Sequence, residues 1–322
     1  MNIGIIGASG TVGRTILQVL EERNFNVDEL YLFSSKKSAG ETITFNNQDY
    51  TLEELEASVF DRDIDVLFFA AGGAVSEKFI PLAKEKGIVA IDNSSVYRMD
   101  ENVPLIVPEV NRDDLNDETV IANPNCSTIQ SVVALKPLQK FGIKRITYTT
   151  YQAVSGSGVG GIEDLKNGTT NTYPYNIQQS VLPHIDVFLD NGYTKEEMKM
   201  IEETKKILND DQLKVTATTV RVPIENGHAV NIDIEFEQDF DIKDIYEALE
   251  EAEGVVIKDD IENLVYPITE DANGTDDVYV GRIRRDYSTD NGIHMFVTAD
   301  NIRKGAATNS VQIAEILNKG ED

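Results

Sequence analysis

Residues 2–13 read Asn2-Ile3-Gly4-Ile5-Ile6-Gly7-Ala8-Ser9-Gly10-Thr11-Val12-Gly13. An apolar run of strand length comes first, then a glycine-spaced turn, then an amphipathic helical pattern over Val12 to Arg23. In that order the glycines permit positive φ and close backbone approach, while the helix start offers free N–H groups and a positive dipole end to an anion. Gly7, Ser9, Gly10, Thr11, Val12 and Gly13 therefore read as the cradle for a dinucleotide pyrophosphate, with a purely structural turn as the plainer alternative.

The pattern repeats outward from this turn. Strand-like runs at Leu30 to Phe33, Val66 to Ala70, Val89 to Asp92 and Val120 to Ala122 alternate with helical periodicity, as at Ser76 to Lys86. That alternation predicts a doubly wound, Rossmann-type α/β domain with a parallel sheet. After a helix near Ser127 to Phe141 the character changes. Longer, alternating runs appear at Arg145 to Ala153, Lys214 to Val222, Ala229 to Glu237, Val278 to Arg284 and Ile293 to Thr298. Period-2 alternation predicts a mostly antiparallel sheet, and helices at Lys195 to Leu208 and Ile242 to Glu251 make this second domain α+β. The stretch Ser155 to Gly161 reads as a loop, and Asn167 to Asn176 as a polar excursion. A last helix, Gly305 to Leu317, carries an apolar stripe that suits packing back onto the first domain. The expected division is 1–124 plus 303–322 for nucleotide binding, and 125–302 for catalysis and dimerisation.

The 322 residues suit about two domains. With 29 Lys+Arg against 56 Asp+Glu, the formal charge of −27 repels nucleic acid and anionic lipid. One cysteine forms no internal disulfide and no multi-cysteine metal site, so no metal is expected. No uncharged apolar run approaches the ~20 residues of a membrane helix. Met1 leads into the first strand with no basic leader, and the expected location is the cytoplasm.

At the end of the second strand, where Asp or Glu would read a ribose 2′-hydroxyl, the chain has Ser34-Ser35-Lys36-Lys37-Ser38. Hydroxyls and ammonium groups suit a 2′-phosphate, which favours NADP(H) over NAD(H) and gives Ser34, Ser35, Lys36 and Ser38 to the cofactor. A solvated basic loop is the alternative.

The only cysteine lies in Asn123-Pro124-Asn125-Cys126-Ser127-Thr128, at the first turn of a helix. Unpaired N–H groups and the dipole there favour the nucleophilic thiolate, so Cys126 reads as a nucleophile rather than an inert buried thiol. A thiol nucleophile beside a nicotinamide implies aldehyde and thioester chemistry, which needs a proton shuttle. Of three histidines, His184 and His294 suit structural positions, whereas His228 follows Glu225-Asn226-Gly227 at a turn between strands, within reach of a cleft.

Taken together, the glycine turn, Asn-Pro-Asn-Cys-Ser-Thr, Tyr151-Gln152-Ala153-Val154-Ser155-Gly156, Arg221-Val222-Pro223 with His228, and Gly281-Arg282-Ile283-Arg284 resemble the aspartate-β-semialdehyde dehydrogenase family over nearly the whole chain. The resemblance implies Cys126 as nucleophile, His228 as general acid/base and Gln152 as the amide orienting the intermediates. It implies Arg221 on the substrate α-carboxylate, Glu196 on its ammonium, and Lys199, Arg98 and Asn125 around the phosphate. Gly156, with Asn309 and Gln312 of the C-terminal helix, falls to the cofactor. The implied reaction is NADPH-dependent reduction of 4-phospho-L-aspartate to L-aspartate 4-semialdehyde with release of inorganic phosphate, by a homodimer or dimer of dimers. Two other readings stay open: an N-acetyl-γ-glutamyl-phosphate reductase, and a non-catalytic NADP-binding paralogue. The sequence departs from the family at Ala229, where serine is usual, at Ser9, where threonine is usual, and in a short excursion between Gln152 and His184.

Overall fold

The computed structural model describes residues 1–319. The chain divides into two compact units, one comprising Met1–Pro124 and the segment from Ala306 onward, the other Asn125–Gly305. The return falls at Ala306 rather than at the expected residue 303. Main-chain bonds explain the shift: Asp300 accepts from the N–H groups of Ile302 and Arg303 through its side chain and from Gly305 through its carbonyl, which keeps these residues with the second unit.

The first unit runs β1 (Asn2–Ile6), α1 (Thr11–Glu22), β2 (Glu29–Ser34), β3 (Thr42–Phe45), β4 (Gln48–Thr51), β5 (Glu53–Glu54), β6 (Val66–Phe69), α2 (Gly73–Glu85), β7 (Val89–Asp92), α3 (Pro108–Asn111) and β8 (Val120–Ala122), then α9 (Thr308–Lys319). Its sheet has the order β5-β2-β1-β6-β7-β8 and is parallel throughout. All four residues of β6 are buried, as expected of a strand covered on both faces. Val311, Ile313 and Ala314 of α9 join Ile3, Ile5 and Ile16 in one core, so the C-terminal stripe packs where its periodicity suggests. The hairpin β3–β4 was not among the expected elements. Its two turn residues, Asn46 and Asn47, both take positive φ (48° and 62°), the geometry a two-residue hairpin needs.

The second unit runs α4 (Cys126–Leu135), β9 (Ile143–Gln152), α5 (Val159–Asn167), α6 (Lys195–Ile207), β10 (Lys214–Arg221), β11 (His228–Phe236), α7 (Ile242–Glu250), β12 (Val255–Ile257), α8 (Thr269–Ala272), β13 (Val278–Arg285) and β14 (Gly292–Ala299). The sheet order is β10-β9-β11-β14-β13-β12. Its centre is antiparallel, but both edge pairs, β10 with β9 and β12 with β13, are parallel, so the sheet is mixed. Two expectations need correction. The helix predicted to reach Phe141 stops as an α-helix at Leu135 and continues as a 3-10 turn over Lys136–Phe141, because Pro137 has no N–H to give. The predicted loop at Ser155–Gly161 is a 3-10 turn over Val154–Ser157 followed by α5, which Gly158 admits by turning the chain at φ 71°.

The polar excursion is organised around one carboxylate. Asp164 is buried and accepts from Thr169 Oγ1 and from the main-chain N–H groups of Asn171, Thr172 and Tyr173. Val154, Tyr173, Ile177 and Leu182 close a small apolar core beside it. Among the described residues no helix is long and apolar enough to cross a membrane.

Burial alone would raise the Asp164 carboxyl, but these hydrogen bonds outweigh it and hold the pKa at about 2, below the ordinary 3.8. A carboxylate depressed on folding contributes stability that is full above its unfolded value and is lost as pH falls through the folded one. Asp164→Asn is therefore expected to lower the urea midpoint at pH 7, and to flatten its decline between about pH 4 and 2 relative to the parent chain. Unfolding titrations of both proteins at several pH values check this.

Candidate active site

Cys126 is the first residue of α4 and is partly exposed. Asn125 caps the helix: its Oδ1 accepts from the N–H groups of Ser127 (2.9 Å) and Thr128 (3.3 Å). The rest of Asn125 is held by α6, with Nδ2 donating to Glu196 Oε1 (2.9 Å) and the main-chain N–H donating to Glu203 Oε2 (2.7 Å). From Ser127 to Leu135 every residue of α4 is buried, so Cys126 stands on a helix that packing holds on all sides.

Strand register gathers the next three residues. Gln152 ends β9 and pairs with Arg221, which ends β10, while His228 begins β11 on the other side of β9. All three are at least 96% buried. Gln152 Nε2 donates to Thr150 Oγ1 (3.3 Å) and to Glu196 Oε1 (3.4 Å). Arg221 Nη1 donates to the Ala153 carbonyl, and the Ala153 N–H donates to His228 Nδ1 at 3.1 Å, fixing the ring. Among the described residues, the buried Arg221 Nε and His228 Nε2 meet no hydrogen-bond partner. Burial, and then the Arg221 charge, hold the His228 imidazole well below its ordinary pKa, opposed only in part by a backbone hydrogen bond with Gly227. The ring is neutral at pH 7.

Glu196 and Lys199 share one face of α6, whose start is fixed by a capping box between Thr194 and Glu197. Burial pushes the Glu196 carboxyl up, but the charge of Lys199, hydrogen bonds from Asn125 and Lys199, and the charge of Arg221 outweigh it, so it stays ionised. Lys199 Nζ lies 3.0 Å from Glu196 Oε2 and 2.8 Å from Asp186 Oδ2, and these anions raise its pKa against the opposing effect of burial. The second unit thus places a buried carboxylate and a buried guanidinium about the end of one sheet, a pairing suited to a zwitterion.

Gly156 was expected at the cofactor. Within the second unit a methyl group built on it would stand 3.0 Å from Arg221 Nη1 and 3.4 Å from His228 Nε2, so this glycine leaves room beside the guanidinium and the imidazole. His184 stacks on Phe188 with ring centroids 4.4 Å apart, and His294 bonds Asp233, which suits the structural positions expected for both.

In the first unit the glycine turn leaves β1, with Gly7 at φ 89°, where a Cβ would meet the Ala70 carbonyl oxygen at 2.6 Å. Gly13 sits so close to the turn that a Cβ would lie 2.4 Å from the Gly7 oxygen. Gly10 caps α1 without a side chain, so the first-turn N–H groups of α1 are offered to a ligand instead. This fits a dinucleotide phosphate. Ser35 and Lys36 are exposed just beyond β2, with Ser38 half-buried, whereas Ser34 is buried and turns its hydroxyl to the Ser35 carbonyl. Arg98 is buried and donates to the carbonyls of Asn123 (2.9 Å) and Asn93 (3.0 Å). Asn309 donates to Asn123 Oδ1 and to the Ile106 carbonyl, and Gln312 to Glu109; these bonds anchor α9 to its own unit.

Three contributors escaped the sequence reading. Asp186 pairs Lys199 from a loop, with no periodic signal. Glu203 lies seven residues after Glu196, two turns along the same helix face, and that spacing could have found it. Gln130 lies one turn beyond Cys126, inside an apolar run that reads as plain core.

Residues 2–118 match the family model for the NAD binding domain of semialdehyde dehydrogenase, and residues 135–304 match that for its dimerisation domain. The chain is 50% identical to aspartate-semialdehyde dehydrogenase of Aquifex aeolicus, over 98% of each chain, and 46% identical to that of Bacillus subtilis, over 99% of this chain and 98% of the relative. The crystal structure of aspartate semialdehyde dehydrogenase II from Vibrio cholerae superposes with a TM-score of 0.94 at 45% identity, covering 99% of this chain and 98% of that one. A Candida albicans aspartate semialdehyde dehydrogenase, solved with NADP, superposes with a TM-score of 0.77 at 27% identity, covering 98% of each chain.

Gly305 bears on the thiol directly, because a Cβ there would lie 2.9 Å from Cys126 Cβ. Gly305→Ala should crowd Cys126 and slow its alkylation by iodoacetamide several-fold. Timed mass spectrometry of the variant and the parent chain checks this.

Proposed function

The chain belongs to the aspartate-semialdehyde dehydrogenase family, and from that premise we propose that it reduces 4-phospho-L-aspartate to L-aspartate 4-semialdehyde with NADPH, through a thioester on Cys126. One observation carries the reading: buried Glu196, kept ionised, shares the end of a sheet with buried Arg221, whose Nε is unpaired among the described residues. Arg221 offers a fork to the α-carboxylate and Glu196 an anion to the ammonium, so a free amino acid satisfies both. An N-acetylated substrate has no ammonium for Glu196, which disfavours the acetylglutamyl reading. A silent paralogue would have no use for an unpaired buried imidazole.

Cys126 thiolate attacks the acyl carbon; the bond from that carbon to the phosphate oxygen breaks, and inorganic phosphate leaves with the electron pair. Gln152 holds the carbonyl oxygen with an amide that does not titrate. When bound, NADPH supplies the hydride that reduces the thioester carbon. His228, whose Nδ1 accepts from Ala153 and whose Nε2 therefore carries the ring proton, shares that proton with the oxyanion; on collapse to the aldehyde the proton stays with the imidazole, the C–S bond breaks, and its electron pair returns to sulfur as the Cys126 thiolate. Lys199 favours the departing phosphate, a role in which we place Arg98 and Asn125 as well. Ser35, Lys36 and Ser38 receive the 2′-phosphate, and the first turn of α1 the pyrophosphate, with Asn309 and Gln312 supporting the C-terminal helix beside them. We assign the product to the route from aspartate to lysine, threonine, methionine and diaminopimelate, in a reducing cytoplasm that keeps the thiol active. The second unit pairs with a second copy, in a homodimer or dimer of dimers.

Run in reverse, purified protein with L-aspartate semialdehyde and NADP⁺ is expected to generate NADPH absorbance only when inorganic phosphate is present, and Cys126→Ala to abolish it. No phosphate-dependent signal in the parent chain overturns the reading and moves the weight to the acetylglutamyl substrate. Light scattering at micromolar concentration is expected to return the mass of a dimer or tetramer; a monomer mass overturns the assembly.

A further inference from the structure

Gln130 is completely buried in α4, one turn after the nucleophile and therefore on the same helix face as Cys126. Its neighbours Ile129, Val132 and Val133 are apolar and equally buried, and an amide among them is unfavourable unless its hydrogen bonds are made. Gln130 Nε2 makes two. It donates to the main-chain carbonyl of His228 at 3.3 Å and to that of Val297 at 3.2 Å, while Oε1 has no partner among the described residues. The two carbonyls belong to adjacent antiparallel strands, β11 and β14. A single side chain thus ties the helix that carries the thiol to the strand residue that carries the imidazole.

From this juxtaposition we propose that Gln130 is a positioning residue that sets the spacing of Cys126 and His228. The proposal rests on the function argued above. Cys126 and His228 come from different elements, a helix start and a strand start, and each has its own local restraint: the Asn125 cap on one, the Ala153 N–H on the other. The first orients Cys126 within its helix, and the second ties the His228 ring to the end of β9. The amide of Gln130 restrains one element against the other, and the unpaired Oε1 shows that its orientation is chosen for donation to these carbonyls at the expense of its acceptor.

The test compares the parent chain with Gln130→Leu, similar in size but without a donor, and with Gln130→Asn, which keeps the amide on a shorter stem. Rates are expressed per folded chain, with the folded fraction taken from the amplitude of the thermal unfolding transition, so unfolded protein does not count. The expected result is a fall in kcat of about 10- to 100-fold, the scale of a small misplacement of reacting groups. KM for semialdehyde and for phosphate should stay within about twofold, because Arg221, Glu196 and Lys199 are untouched. The pH dependence of kcat should move, while that of Cys126 alkylation stays, since the cap is intact. A merely structural glutamine would lower the melting temperature and leave kcat per folded chain and its pH profile alone, and that result in either variant overturns the proposal. A loss confined to KM does so too. If the parent chain makes no NADPH with phosphate, the function itself fails and takes this inference with it.

Discussion

The start of α4 is where the second unit is most constrained, and Asn125 is the residue through which the constraint acts. Its carboxamide oxygen satisfies two orphan N–H groups of the helix, its amide nitrogen meets Glu196, and its main chain meets Glu203. A helix end without such partners leaves donors unmet in the interior, at about 1–3 kcal/mol each. Here the same bonds that make the helix begin also fix where the sulfur is. Glu196 and Cys126 are one hydrogen-bonded side chain apart.

That closeness has an electrostatic cost. Glu196, Arg221 and most of Lys199 are withdrawn from water, where ions are favourable only when paired and hydrogen-bonded. Lys199 and the Asn125 and Gln152 amides supply the pairing for Glu196. Arg221 Nε and His228 Nε2 are left buried and unpaired among the described residues, and in a core built by burial such atoms are tolerated where something else is to fill the gap. The neutral state of His228 follows from the same arrangement, first because its burial disfavours a charged ring and then because a protonated ring would add a second cation beside Arg221.

Much of this was legible before any coordinates. The bounds of β1, β7 and β8 coincide with their apolar runs, because parallel strands covered on both faces give continuous apolar signals. Cys126 stands at the helix start that its polar neighbours marked, and His228 at the strand start that follows its turn. The edge pairing of β10 and β12 was hidden, since alternation reports a half-buried strand and says nothing of its direction. The helix α5 was hidden by glycines that usually mark a loop. Gln130 was hidden more deeply: its partners lie 98 and 167 residues away, and no local pattern encodes such distances.

The short excursion between Gln152 and His184 gains a different meaning from one pair of main-chain bonds. Leu182 donates to the Arg221 carbonyl at 2.9 Å and accepts from the Arg221 N–H at 2.8 Å, an isolated bridge on the open edge of β10. The excursion is thus moored at its far end to the backbone of the guanidinium-bearing residue, and near its beginning to the buried Asp164. Lengthening a surface loop between two moorings is cheap, about 0.6 kcal/mol for each doubling. Evolution can therefore let out or take in this segment, reshaping the outer surface of the second unit, while the arginine keeps its place.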